Sequence, residues 1–183
     1  MREGVAEHLS QYLQVQNPDP VFNVPEDKET SSFCKKLMQK TDGFTEGFAF
    51  DIASAFSCAS GKRKRKPPVL RRRAISALLK AMCFYYDPLS NTVIRSVTEL
   101  ALECGLARKS ASGYLSIERA VRAIKSLEED FGFIACLAPS ELNNTQYVHL
   151  VITFTPRLFE FLGVSPLALI EARLVSNVGA DSE

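Results

Sequence analysis

Residues 96 to 132 constrain the backbone of this chain more tightly than any other stretch. Ser96-Val97-Thr98-Glu99 has the spacing in which a serine hydroxyl and a glutamate carboxylate each accept from the other's backbone amide, so a helix is predicted to begin there. That helix turns Leu100, Ala101 and Cys104 inward and ends at Gly105, a residue suited to the left-handed conformation that closes helices. A polar linker runs from Leu106 to Leu115, longer than the turn of the simplest helix-turn-helix. Ser116 is then placed to cap a second helix with an apolar stripe of Ile117, Ala120, Val121, Ile124 and Leu127, ending at Gly132. At about 100° per residue, Arg119, Arg122 and Ser126 fall on the opposite, solvent face.

The flanks of this segment fit one architecture. Before it, Pro68 suits a helical first turn, and Ile75, Leu78, Leu79, Met82 and Tyr86 recur at helical spacing until Asp87-Pro88. Thr92 to Arg95 reads as a short strand. After it, two strands are expected over 133 to 137 and 146 to 154, the second alternating through Val148, Leu150, Ile152 and Phe154, with a polar loop at 139 to 145 between them. Helix, capped helix, amphipathic helix and two-stranded hairpin in that order predict an α+β, mostly helical chain built on a winged helix-turn-helix. Thr155-Pro156 opens a further short helix closed by Gly163, and Ser165-Pro166 starts a last one through Leu174.

The N-terminal third reads as an extension of that domain. Asn17-Pro18-Asp19-Pro20-Val21-Phe22 is held extended by its prolines, an arm lying on a surface. Ser31 or Ser32 caps a short helix through Leu37 that stops near Gly43, while the apolar stretch from Phe44 to Phe56 fits helix and strand equally. The expected organisation is an arm and helical extension over 1–60, a basic connector over 61–67, the winged-helix domain over 68–175 and a flexible tail over 176–183.

Composition narrows the function. The net charge of +1 hides a run from Lys62 to Arg73 with eight basic residues in twelve positions. Five dispersed cysteines lack metal-ligand spacing and read as reduced thiols, small buried hydrophobes in a cytoplasmic protein. No apolar run is long enough to span a membrane, and Met1 to Gln14 lacks a signal peptide's apolar stretch. Neither histidine, His8 nor His149, has a patterned catalytic partner, and the capping role accounts for Glu99, so neither an enzyme nor a metal or cofactor is expected.

Nucleic acid is the favoured partner class. Arg119 and Arg122, with Lys125, Ser116 and Ser126, lie on the candidate recognition helix, against the alternative of a merely solvated face. Lys62, Arg63, Lys64, Arg65 and Lys66, with Arg71, Arg72 and Arg73, read as a phosphate-binding arm; the alternative is a flexible solubilising linker. The three consecutive arginines cover nearly a helical turn, so at least one is expected to pack inward. Arg108, Lys109, Ser110 and Ser112 of the linker approach phosphates, and Asn143, Asn144 and Gln146 form a wing tip. Phe44, Phe48, Phe50, Phe56, Tyr85 and Tyr86 fit core packing better than base stacking. Winged helices also pair protomers, so a homodimerisation or assembly module stays open beside a DNA-binding protein such as a transcriptional repressor.

Several segments in the same order carry a resemblance: Asn17-Pro18-Asp19-Pro20-Val21-Phe22, Pro67-Pro68-Val69-Leu70-Arg71-Arg72-Arg73-Ala74-Ile75, Phe84-Tyr85-Tyr86-Asp87-Pro88-Leu89, Leu102-Glu103-Cys104-Gly105-Leu106-Ala107 and Leu115-Ser116-Ile117. Over roughly residues 12 to 175 the chain resembles the RepA replication initiators of IncF-type plasmids. The resemblance implies a protein that binds double-stranded plasmid origin DNA, helps melt an adjacent AT-rich region and recruits host DnaA and the replicative helicase, its abundance setting plasmid copy number. It also implies a longer protein with a strongly basic C-terminal region, of which this sequence is the N-terminal portion.

Overall fold

A computed structural model describes residues 17–109, 113–137 and 150–180. Helices α1 (Ser32–Lys40), α2 (Phe48–Ala59) and α3 (Val69–Phe84) come first, followed by strands β1 (Tyr86–Asp87) and β2 (Thr92–Val93). Then follow α4 (Val97–Glu103), β3 (Arg108–Lys109), β4 (Leu115–Ser116) and α5 (Glu118–Lys125), which runs on into a π-helical turn, Ser126–Asp130. Strands β5 (Ile134–Leu137) and β6 (Val151–Phe154) and helices α6 (Pro156–Phe161) and α7 (Pro166–Ala180) are the last elements among the described residues. It is an α+β fold in which an antiparallel sheet of order β1-β2-β6-β5 serves a mainly helical body.

Helix α3 lies at the centre because its sequence is apolar on almost every side. Ile75, Leu78, Leu79, Ala81, Met82 and Cys83 are all fully buried, and in its middle only Ser76 and Lys80 are partly open to water. Cys34 and Leu37 of α1 and Phe50 of α2 share one continuous core with Leu100 of α4, Ile124 of α5 and Ile152 of β6. The arm joins that core through Phe22, whose ring stands 5.5 Å from Phe84 and 6.1 Å from Tyr85.

Local signals set most helix starts. Ser31 caps α1 by accepting from the Cys34 amide at 3.1 Å, and Thr155 caps α6 by accepting from Leu158. At α4 the reciprocal pair forms as the spacing predicts, with Glu99 N donating to Ser96 Oγ at 3.2 Å and Ser96 N to Glu99 Oε2 at 3.0 Å. Hydrogen bonds from the Ser96 amide and hydroxyl, with Arg95 nearby, hold the Glu99 carboxyl below its usual pKa. Gly105 closes α4 at φ +65°, and a Cβ there would stand 2.4 Å from Asn17 Nδ2, which donates to the Gly105 carbonyl at 2.8 Å. Gly105→Ala is therefore expected to destabilise the chain by about 1–2 kcal/mol through backbone strain and the displaced arm. A urea melt showing less than about 0.3 kcal/mol of change would mean that the turn relaxes freely.

Several expectations need correction. The polar linker after α4 contains paired strands that its composition did not announce: Arg108 pairs with Ser116 and Lys109 with Leu115, and the return strand follows Gly113 at φ +84°. Ser116, committed to that pairing, is not the cap of α5; Ile117 holds the position without a side-chain hydrogen bond. Ser126 is buried rather than solvent-facing, because Arg63 and Arg71 close over the point where α5 widens into the π turn. Phe44, Phe50 and Tyr86 are core residues, whereas Phe48 and Phe56 lie outside it, 80% and 63% exposed on α2. The ambiguous stretch from Phe44 is a turn followed by helix, β2 is shorter than Thr92 to Arg95, and the last helix extends past Leu174 to Ala180.

Candidate nucleic-acid interface

Arg63 decides where the basic segment lies. Its guanidinium pairs with Asp130 and donates to Ser126 Oγ at 3.3 Å, and its side chain is only 17% exposed. In the first turn of α3, Arg71 donates to the Arg122 carbonyl at 2.6 Å and to Ser126 Oγ at 3.4 Å. Both arginines thus grip the C-terminal end of α5, where carbonyls point outward and a positive charge is favoured. Burial, with the like charges of Arg122 and Arg63, holds the Arg71 pKa below its usual value, against the pull of Asp130. A guanidinium starts so high that it stays protonated at neutral pH.

The consequence is positional. Lys62, Lys64 and Arg65 flank an anchored residue, so the segment is tied beside α5 instead of swinging free. All three are exposed, and no ion pair engages them among the described residues. Lys66 meets Asp51 of α2 at 2.5 Å. On α5 itself Arg122 is exposed beside Glu118 at 2.9 Å, an i,i+4 pair worth little in water, and Lys125 is exposed one turn further on. Arg108 and Lys109 are exposed on the β3–β4 hairpin that enters α5, as is Tyr114.

Other candidate residues are committed internally. Arg72 reaches the Thr45 carbonyl at 3.5 Å, so two of the three consecutive arginines pack inward, one more than the expected minimum. Arg73 pairs with Asp19 at 2.6 Å and donates to the Pro18 carbonyl at 3.3 Å. Arg119 donates to the Asn17 carbonyl at 2.9 Å, and burial lowers its pKa. It is half-buried because the N-terminal arm crosses this part of α5, which the helical periodicity alone did not reveal. Ser110, Ser112, Asn143, Asn144 and Gln146 lie outside the described residues, as do His8 and His149.

The acidic residues have structural partners. Arg95 bridges Glu99 at 2.5 Å and Glu103 at 2.8 Å, and Tyr85 donates to Glu103 at 3.0 Å. All five cysteines are free thiols, and burial raises Cys104 and Cys136 to about 12, far from the reactive range. Among the described residues no group of His, Cys, Asp and Glu is placed to hold a metal ion, and no helix is long and apolar enough to cross a membrane.

With this geometry in place, the comparison with known proteins is direct. The IncFII RepA protein family model matches residues 10–176. The chain belongs to the IncFII RepA family. A replication initiation protein of Escherichia coli is 50% identical over 166 residues, covering 91% of this chain and 58% of that protein. A probable replication-associated protein repA1 of Buchnera aphidicola subsp. Acyrthosiphon pisum is 30% identical over 165 residues, covering 87% of the chain and 58% of its own length. A probable repA2 protein from the same source is 38% identical over 96 residues, or 52% of the chain and 38% of that relative. The chain thus spans well under two thirds of the curated relatives it matches. No solved structure matches it.

Proposed function

We propose that this chain is the N-terminal, DNA-contacting portion of a plasmid replication initiator, and that its basic segment and α5 engage one stretch of duplex origin DNA together. The observation that carries the reading is the double anchor, Arg63 on Ser126 and Asp130 and Arg71 on the Arg122 carbonyl, which sets Lys62, Lys64 and Arg65 alongside Arg122 and Lys125. Family membership supports the replication role. The order α3, α4, α5 and the antiparallel pair β5–β6 supports a winged helix, with α5 as recognition helix. Arg108 and Lys109 extend the phosphate contacts from the hairpin, while Arg72, Arg73 and Arg119 position the surface instead of touching DNA. Recruitment of host proteins such as DnaA and the replicative helicase belongs to the whole initiator in this reading.

Fluorescence anisotropy against the plasmid's origin duplex and a shuffled duplex, across a salt series, tests it. Replacing Lys62, Lys64 and Arg65 together by Ala is expected to weaken binding to both duplexes and to flatten the salt dependence by about two to three units of log–log slope. Arg122→Ala is expected to cost about 1–3 kcal/mol on the origin alone. An unchanged salt slope in the triple variant would remove the basic segment from the interface. Equal loss on both duplexes would make Arg122 a phosphate contact.

A further inference from the structure

Helix α2 is apolar on two faces. Its buried face carries Phe50 and Ala53 together with Ser54 and Ser57, the two serines each 1% exposed and their hydroxyls without a hydrogen-bond partner among the described residues. Its outward face carries Phe48 at 80%, Ile52 at 53% and Phe56 at 63% exposure, with Ala49, Ala55 and Ala59 exposed between and beyond them. At about 100° per residue these six side chains occupy one face about 120° wide. None is charged or polar, and the helix's one charge, Asp51, is turned to Lys66. A surface helix normally turns polar residues to water, and a contiguous apolar patch of this kind marks a contact with another molecule.

The order of residues on the face identifies the occupant. Phe48, Ala49, Ile52, Ala55 and Phe56 read the same in both directions about Ile52. A two-fold interface must be self-complementary, each patch meeting its own copy, and a patch free of charge sets no like charges against each other there. An antiparallel two-fold at Ile52 places Phe48 over Ala55 of the second copy and Phe56 over Ala49 of the second copy, large against small at both ends. The i, i+4 ridge Phe48-Ile52-Phe56 is also the ridge that interdigitates when two helices cross at about −50°. The geometry points to a second copy of this chain, paired through α2 about a two-fold axis at Ile52. The three large side chains present on the order of 350 Å² per protomer, below the ~800 Å² of a standard interface, so the pairing is weak in free solution.

Sedimentation equilibrium of the 183-residue chain without DNA tests this surface independently of the nucleic-acid reading. A monomer–dimer equilibrium with a dissociation constant on the order of 10–100 µM is expected, weakened at least tenfold by Ile52→Glu. Phe48→Glu is expected to weaken it comparably, and adding Ala55→Lys to restore it, because the new charges meet across the interface. In a Cys58→Ser background, Ile52→Cys is expected to form an intermolecular disulfide readily and Ala59→Cys, away from the axis, to form little. A chain that stays monomeric at several hundred micromolar overturns the proposal and leaves the face to a different protein, as does a dimer indifferent to Ile52→Glu. Equal crosslinking at 52 and 59 overturns the two-fold register.

Discussion

Replacing Phe131 by alanine is expected to cost about 3–5 kcal/mol, the largest single-residue effect in this chain. Its ring is fully buried, 4.9 Å from Phe50 of α2 and stacked 5.6 Å from Phe133 at an interplanar angle of 13°. Phe133 in turn meets Phe44 at 5.6 Å and Phe161 of α6 at 4.8 Å. The cluster therefore joins α2, the end of the π turn, the entry to β5 and α6. Truncation removes the ring contacts and leaves a cavity that rigid neighbours fill only in part. Domains of this size unfold with about 5–15 kcal/mol in hand, and the melting temperature is expected to fall by roughly 10 °C. Phe131→Leu, which keeps most of the volume, is expected to lose less than half as much. A calorimetric shift under about 2 °C for the alanine variant would show that the cluster repacks around the gap.

Arg63→Ala is the second large effect, and it reads out twice. Asp130, 13% exposed, loses the guanidinium that compensates it, and Ser126 loses a donor. Leaving a nearly buried carboxylate unpaired is expected to cost about 2–4 kcal/mol, at the lower side of the range for buried pairs because both groups retain some contact with water. Asp130→Ala added to Arg63→Ala is expected to recover part of that loss, since the costs of two contacting partners are not additive. On DNA, Arg63→Ala is expected to weaken binding more than Arg65→Ala, although each removes one charge, because Arg63, unlike Arg65, ties the segment to Asp130 and Ser126 at the end of α5. Equal binding losses would mean that the tether does not position the segment. An unchanged urea midpoint would mean that the pair with Asp130 contributes nothing to stability.

Much of this arrangement was legible in the sequence wherever a local rule sufficed. The Ser96–Glu99 pair, the Gly105 stop, the caps at Ser31 and Thr155 and the apolar periodicity of α3 through Met82 depend on residues a few positions apart, and each appears where it was expected, whereas Tyr86, read as the last apolar position of that helix, lies in β1. Misreadings came where distant residues decide. Helical periodicity turned Ser126 toward water, yet Arg63 and Arg71 arrive from other parts of the chain to cover it. It turned Arg119 toward solvent as well, where the backbone carbonyl of Asn17 now meets it. The hairpin Arg108–Ser116 could have been suspected from Gly113 and the spacing around it, a signal that the polar composition of the linker obscured.

The clearest contrast lies in α2. Apolar content predicted that Phe48 and Phe56 enter the core, because composition records hydrophobicity without direction. The orientation of α2 is set by Phe50 packing against Phe44 and Phe131, contacts made across the chain, and that choice leaves Ile52 and the two phenylalanines outside. By itself the sequence determined the helix boundaries with strong caps, the basic run and the family, since each is written in neighbouring residues or in an ordered set of them. Only the tertiary structure decided which arginines are spent holding α5 and which remain open to a ligand, and which face of α2 meets water. Those outcomes depend on competition among side chains far apart in sequence for the same buried carboxylate, carbonyl or cavity, and the winner is set by packing geometry that no local pattern encodes.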